Sequence, residues 1–194
     1  MDDQEGPIRE AVRRRDVGGA AATMLKLYAS ELFGYALWLA RTERYAEIGY
    51  EDAVARIRRE LRSFAWEFSA RAWGHAVVRE TLRTVQAEKP VLTIVFDPRT
   101  LEPRRPHGKF VFPVHADQAE ILRLLQQRFS EDDQELLLLR WGRRLSSREI
   151  ALILEGPGAA ESRIDQEAKR LRVHLRALEE RAATFKEELR RLPS

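Results

Sequence analysis

The chain has no cysteine among its 194 residues, which excludes a disulfide framework and a thiolate metal site. Long apolar runs are also missing, and the longest, over residues 32–40, is too short to cross a bilayer as a helix. No apolar segment follows the charges of the first fifteen residues, which argues against a secretory signal. We therefore expect a cytoplasmic protein that does not insert into a membrane.

A strong excess of charge of one sign is absent as well, because the formal net charge is only +3. Residues 1–116 hold 19 Lys and Arg against 16 Asp and Glu, whereas residues 117–194 hold 15 of each class. Neutralisation of phosphates supplies much of the affinity of proteins for nucleic acid. The second part of the chain should therefore bind DNA weakly by itself.

Strand-like patterns are rare, and apolar residues recur at helical spacing over most of the chain. We predict an all-α protein with two small helical domains joined by a proline-rich linker. The first domain covers residues 20–85 and follows a mobile leader over residues 1–19, and the second covers residues 117–194. The linker over residues 86–116 holds five prolines and two β-prone runs, so a short hairpin is an alternative there.

The segment SSREIALILEGPGAAESRIDQEAKRLR, residues 146–172, predicts a helix-turn-helix. Ser146 and Glu149 have the spacing of a capping box, and EGPG ends the first helix. A long helix with heptad repeats then runs to about residue 192. The heptad positions beyond the reach of a small three-helix domain are Leu178, Ala182, Phe185, Leu189 and Leu192. These positions either contact a partner (another subunit, the first domain or a different protein) or form a fraying tail.

In order and spacing, these patterns resemble the extracytoplasmic-function sigma factors of bacterial RNA polymerase, in which helical region 2 is linked to helical region 4. LYASELFGYALWLART is similar to the opening of region 2, and FSEDDQELLLLRWGRRLSSREIALIL is similar to region 4. The likeness covers roughly residues 20–85 and 117–178. It implies core RNA polymerase and promoter DNA as partners, an anti-sigma factor as a further candidate partner, and no cofactor.

The resemblance also assigns residues within region 2. The helix YEDAVARIRREL would dock on the polymerase through Glu51, Asp52, Arg56, Arg58 and Arg59. The next stretch is similar to the loop and helix that melt and read the minus-10 element. Its aromatic and basic side chains suit stacking on unpaired bases and holding the backbone. The candidates for this contact are Arg62, Phe64, Trp66, Phe68, Arg71, His75 and Arg79.

In the helix-turn-helix, the candidates for contact with DNA are Ser147, Arg148, Ala160, Glu161, Arg163, Gln166, Lys169 and Arg170. Arg163 and Gln166 would read base edges. The chain departs from the family here, because GPGAAE replaces the usual Gly-Thr-Val and basic residue, and Glu161 stands where Lys or Arg is common. Since these acids oppose phosphate binding, we expect tethering to polymerase to supply the missing affinity.

Two other functions fit the sequence. A sigma-like adaptor would recruit polymerase to another factor, or be recruited by one, without reading promoters independently, as the neutral second part favours. A dimeric helix-turn-helix repressor would explain the heptads but leave the first domain without a task. We do not expect an enzyme or a small-molecule substrate, because the sequence shows no Gly-rich phosphate loop, metal-ligand cluster or nucleophile motif.

Overall fold

The computed structural model describes residues 4–88 and 128–190, and within them the chain forms seven α-helices and no strand. The prediction of an all-α fold is confirmed. We call residues 4–88 the first block and residues 128–190 the second block. Residues 89–116 of the predicted linker, including the alternative hairpin, lie outside the described residues, as does the predicted start of the second domain at residue 117.

The first block contains four α-helices and a short 3₁₀ turn. They are α1 (Gly6–Arg13), α2 (Val17–Ala40), α3 (Glu43–Glu60), the turn Leu61–Ser63 and α4 (Ala70–Glu88). Asp16 begins α2 by accepting a hydrogen bond from the amide of Gly19. Arg41 ends α2 in the left-handed conformation, and Thr42 then caps α3.

The prediction of a mobile leader over residues 1–19 is wrong from Glu5 onward. Ile8 of α1 is completely buried. The Glu5 carboxylate accepts hydrogen bonds from the amides of Ala70 at 2.9 Å and Arg71 at 3.0 Å. These amides open α4, and the first amides of a helix have no partner inside it and attract negative charge. The polar composition concealed this contact because the groups that satisfy Glu5 lie far along the chain.

Helices α2, α3 and α4 form the core of the first block. Their buried side chains include Met24, Leu32, Tyr35, Ile57, Val77 and Leu82. At the crossing of α3 and α4 the helices approach closely, since a Cβ atom at Gly49 would overlap Cδ2 of Leu82. A larger residue at position 49 would therefore separate the helices or displace the leucine.

The second block contains the segment that was predicted to form a helix-turn-helix. Its elements are α5 (Glu131–Leu137), a π-helical turn (Leu138–Gly142), α6 (Ser147–Glu155) and α7 (Glu161–Arg190). The predicted capping box is confirmed, because Ser146 and Glu149 satisfy each other's backbone amides at the start of α6. Gly156 follows α6 with a φ of 101°, a conformation that favours glycine, and lets the chain turn toward α7.

The apolar stripe of α7 packs inside this chain. Leu178, Ala182 and Phe185 retain only 1%, 6% and 9% of their accessible surface, respectively. The ring of Phe185 meets the ring of Phe129 edge-on, with 6.0 Å between centroids. These three side chains are therefore covered within the chain and do not form a fraying tail, whereas a partner for this helix stays a prediction. The side chain of Leu189 and all of Leu192 lie outside the described residues.

The two blocks contact each other directly through α4 and α6. Buried residues of both blocks belong to one continuous apolar cluster. The division into two domains at the proline-rich segment stays a prediction, but this packing places the predicted minus-10 helix against the predicted helix-turn-helix. The described helices include none that is both long and apolar enough to span a membrane.

Candidate nucleic-acid interface

The loop between α3 and α4 carries the three candidate aromatic residues, and all three are half-buried. The ring of Phe64 stacks on the buried Trp73 with 5.1 Å between centroids and also packs on Trp66 at 4.9 Å. One face of the loop thus packs against the core of the first block. The predicted base-stacking role of Phe64 would require it to leave this cluster.

Trp66 is held in an unusual backbone conformation. Its φ is 60°, in the left-handed region that bulky residues rarely occupy. The guanidinium of Arg9 lies over its ring, 5.6 Å from the centroid. Strained conformations of this kind persist only where the surroundings enforce them, and they concentrate at functional sites. Sequence patterns did not indicate Arg9, because they placed it in a leader.

Phe68 lies where the two blocks meet. The guanidinium of Arg148, in the first turn of α6, lies 4.9 Å from the centroid of its ring. Beside this contact, the hydroxyl of Ser69 donates a 2.8 Å hydrogen bond to Glu149. An open recess of about 230 Å³ lies next to it, lined by both blocks. Candidate residues for single-stranded and for duplex DNA therefore contact each other.

Arg71 and His75 point into the protein. Arg71 pairs with Glu31 of α2 at 2.8 Å, and Nδ1 of His75 donates a 2.9 Å hydrogen bond to the carbonyl of Arg71. Burial lowers the pKa of His75 to about 4, so its ring is neutral near pH 7. Arg143 of the second block lies 3.9 Å from the same Glu31 oxygen. A fully buried imidazole does not contact DNA, so the prediction for His75 is wrong in this arrangement of the chain.

Arg79 also faces inward. It donates from Nε to Glu135 of α5 at 2.8 Å, and the phenol of Tyr35 donates to the same carboxylate. The Arg79 side chain is 14% exposed, and that of Glu135 is 6% exposed. In this arrangement Glu135 covers Arg79, so the predicted contact of Arg79 with the DNA backbone requires the two blocks to separate and stays a prediction. Of the basic candidates in the minus-10 stretch, Arg62 is the one that lies exposed.

Three arginines of the segment predicted as a helix-turn-helix, all of them candidates for contact with DNA, have a carboxylate partner. Arg148 donates to Glu161 and to Asp165, Arg163 pairs with Glu155, and Arg170 lies 3.7 Å from Glu167. These acids neutralise much of the charge that α6 and the first turns of α7 would offer to DNA. The other candidates on this surface are exposed or half-buried and comprise Ser147, Ala160, Gln166 and Lys169.

The predicted polymerase-binding residues lie on α3. Glu51, Asp52 and Arg58 are exposed to solvent. Arg59 pairs with Glu60 at 3.1 Å but stays largely exposed. Arg56 pairs with Glu60 and with Glu80 of α4, so it braces α3 against α4. The acids of this helix are thus available to a partner, whereas Arg56 has a structural contact.

Several residues that shape this site were not predicted from the sequence. They are Glu5, Arg9, Glu31, Tyr35, Glu135 and Arg143. A signal was present for two of them, because Glu31 and Glu135 are carboxylates beside apolar helix positions, where a charge needs a buried partner. Which arginine pairs with each of these carboxylates depends on how the helices pack.

No protein-family model matches this chain, and no relative is found among curated proteins. Within residues 4–88 and 128–190, no group of three or more His, Asp or Glu side chains is arranged to hold a metal ion. The functional assignment therefore depends on the chain's own residues.

Proposed function

We propose that the chain is a sigma-like transcription initiation factor that binds core RNA polymerase and directs it to promoter DNA. One observation carries the proposal. Phe68 of the aromatic loop and Arg148 of the helix-turn-helix, chosen separately for contact with DNA, meet at one junction. Elements that use the same nucleic acid are expected to lie within reach of one another, and these two are far apart in the sequence.

The proposal includes an order of events. The acids of α3 are exposed, so polymerase docks there without rearrangement. The aromatic loop and α6 cover each other, so promoter contact requires the two blocks to separate. Binding to polymerase would supply the free energy for this separation, because a partner that favours one conformation shifts the population toward it. Docking therefore precedes promoter reading.

A second function is favoured by the pairing of the arginines. Arg148, Arg163 and Arg170 each face a carboxylate of this chain. A helix-turn-helix whose arginines stay neutralised serves as a protein-binding element. In this case the chain is a sigma-like adaptor that brings polymerase to another factor.

Binding to polymerase is tested by mixing the purified chain with core RNA polymerase at low salt and capturing the complex. The double substitution Glu51→Lys with Asp52→Lys should abolish capture. Substitution of the exposed Lys26 of α2 by Ala is a surface control and should leave capture unchanged. Failure of the unmodified chain to bind polymerase would overturn both proposed functions.

Promoter opening is tested by probing a promoter library with permanganate, which modifies unpaired thymines. The initiation factor should produce opening, and Arg62→Ala or Trp66→Ala should reduce it while polymerase capture persists. Capture without opening on any promoter would favour the adaptor. A two-fold symmetric footprint without polymerase would instead indicate the repressor.

A further inference from the structure

The guanidinium of Arg148 is occupied on two sides within this chain. Its Nε donates to Oδ1 of Asp165 at 3.0 Å, and its Nη2 donates to Glu161. Its flat face lies over the ring of Phe68. The Arg148 side chain, which is 38% exposed, thus connects the first two turns of α7 with the first block.

Carboxylates and phosphates present similar oxygen pairs to a guanidinium, and arginine binds both through several directed hydrogen bonds. Glu161 and Asp165 therefore occupy Arg148 in the way that a DNA phosphate would. They are one turn apart on α7, which places both on the same side of the helix. The hydrogen bond between Ser69 and Glu149 closes the junction next to them.

We propose that Glu161 and Asp165 are an internal substitute for DNA phosphate, which holds Arg148 on Phe68 and lowers the affinity of the helix-turn-helix for DNA. This inference rests on the proposed function and concerns how DNA binding by the chain is regulated. A duplex binds when its phosphate displaces the two carboxylates from Arg148. The same displacement uncovers the ring of Phe68, which can then stack on an unpaired base. Binding of duplex DNA and base stacking are therefore coupled.

The chain offers a matched control on the same helix. Glu179 pairs with Arg140 at 3.1 Å, and Glu180 is exposed beside it. Changing both to Gln removes two charges from α7 and frees an arginine, as does the double variant Glu161→Gln with Asp165→Asn. The control pair lies away from the junction, since Arg140 belongs to the π-helical turn of the second block.

The experiment measures binding of a fluorescent duplex to the full chain by anisotropy at several salt concentrations. Glu161→Gln with Asp165→Asn should tighten binding by about tenfold more than the control variant does, and should steepen the salt dependence by about one released ion. Adding Arg148→Ala to this double variant should cancel the gain. An equal gain in both double variants, or a gain that survives Arg148→Ala, would overturn the inference.

The arrangement of the blocks gives a second readout. Because the chain has no cysteine, Ala22→Cys and Ala177→Cys can carry a donor and an acceptor dye at exposed positions of the two blocks. The Glu161 and Asp165 double variant should change the energy transfer, whereas the control variant should not. Unchanged transfer and unchanged duplex binding, with polymerase capture intact, would overturn this inference and leave the proposed function standing. Failure of the unmodified chain to capture polymerase would overturn the proposed function and, with it, this inference.

Discussion

Arg79 of α4 donates a 2.8 Å hydrogen bond to Glu135 of α5, and the pair joins the two blocks in a place that solvent barely reaches. The phenol of Tyr35 donates to the same carboxylate. Burial, with the nearby Glu135 charge, raises the pKa of Tyr35 well above its usual value, so it stays a neutral donor. This group of three opposes separation of the blocks, which promoter contact requires in the proposed function.

Replacing Glu135 by Gln should destabilise the protein by about 3 kcal/mol, because it leaves Arg79 buried without an opposite charge. Tyr35→Phe removes only one hydrogen bond and should cost about 1 kcal/mol. Urea unfolding monitored by circular dichroism measures both. A Glu135→Gln variant as stable as the unmodified chain would show that the pair does not form in solution.

His75 should make the stability depend on pH. Its folded pKa is about 4, mainly because burial disfavours the charged ring, whereas the unfolded value is near 6.5. The unfolded chain therefore takes up a proton first, and stability is lost as the pH falls from about 6.5 toward 4. The charged groups near the ring are Glu31, Arg71 and Arg143, and the neutral phenol ring of Tyr35 packs against it.

The contribution of His75 is isolated with His75→Phe, which retains a ring against Tyr35. Between pH 7 and pH 5 the unmodified chain should lose about 2 kcal/mol more stability than the variant. Titration of the His75 ring protons by NMR measures the folded pKa directly. A midpoint near 6.5 would contradict its burial.

The capping box of α6 should contribute about 1 kcal/mol to the free energy of unfolding, because Ser146 accepts a hydrogen bond from an amide that has no partner within the helix. Ser146→Ala should lower the free energy of unfolding by this amount. Ser147→Ala, one residue later, is the matched control and should change it by less than about 0.5 kcal/mol. Equal effects of the two substitutions would show that the cap does not stabilise α6.

Phe185 distinguishes packing within the chain from association with a partner. Because its ring is buried against Phe129, Phe185→Ala should destabilise the folded protein by about 3 kcal/mol. Val173→Ala is the control on the same helix, since Val173 is 74% exposed. Analytical ultracentrifugation should show no change of mass for either variant. If Phe185→Ala lowered the molecular mass of the assembly without lowering the stability of the chain, Phe185 would instead contact a second copy of the chain.

Local features of the fold were predictable from the sequence because their determinants lie close together. The spacing of Ser146 and Glu149 predicted the capping box that the structure contains, and EGPG predicted the break before α7. The leader was misinterpreted for the opposite reason. Glu5 and Ile8 gain their partners from helices far along the chain, and composition does not record such contacts.

The candidate site shows the same division. Residue types suited to DNA were found along α4 and α6, yet Arg71, Arg79 and Arg148 turned out to face carboxylates. Spacing along one helix predicts which face a residue occupies. It does not predict which other helix covers that face, so the pairing partners could not be predicted.

The sequence by itself determined that the chain is helical, where α6 begins and ends, and that an apolar stripe follows α7, because periodicity and capping depend on residues within a few positions of one another. The tertiary structure decided which cations are neutralised and which aromatic rings are covered. An ion pair needs its two charges within about 4 Å, and only the packing of α2, α4, α5, α6 and α7 brings such distant residues that close.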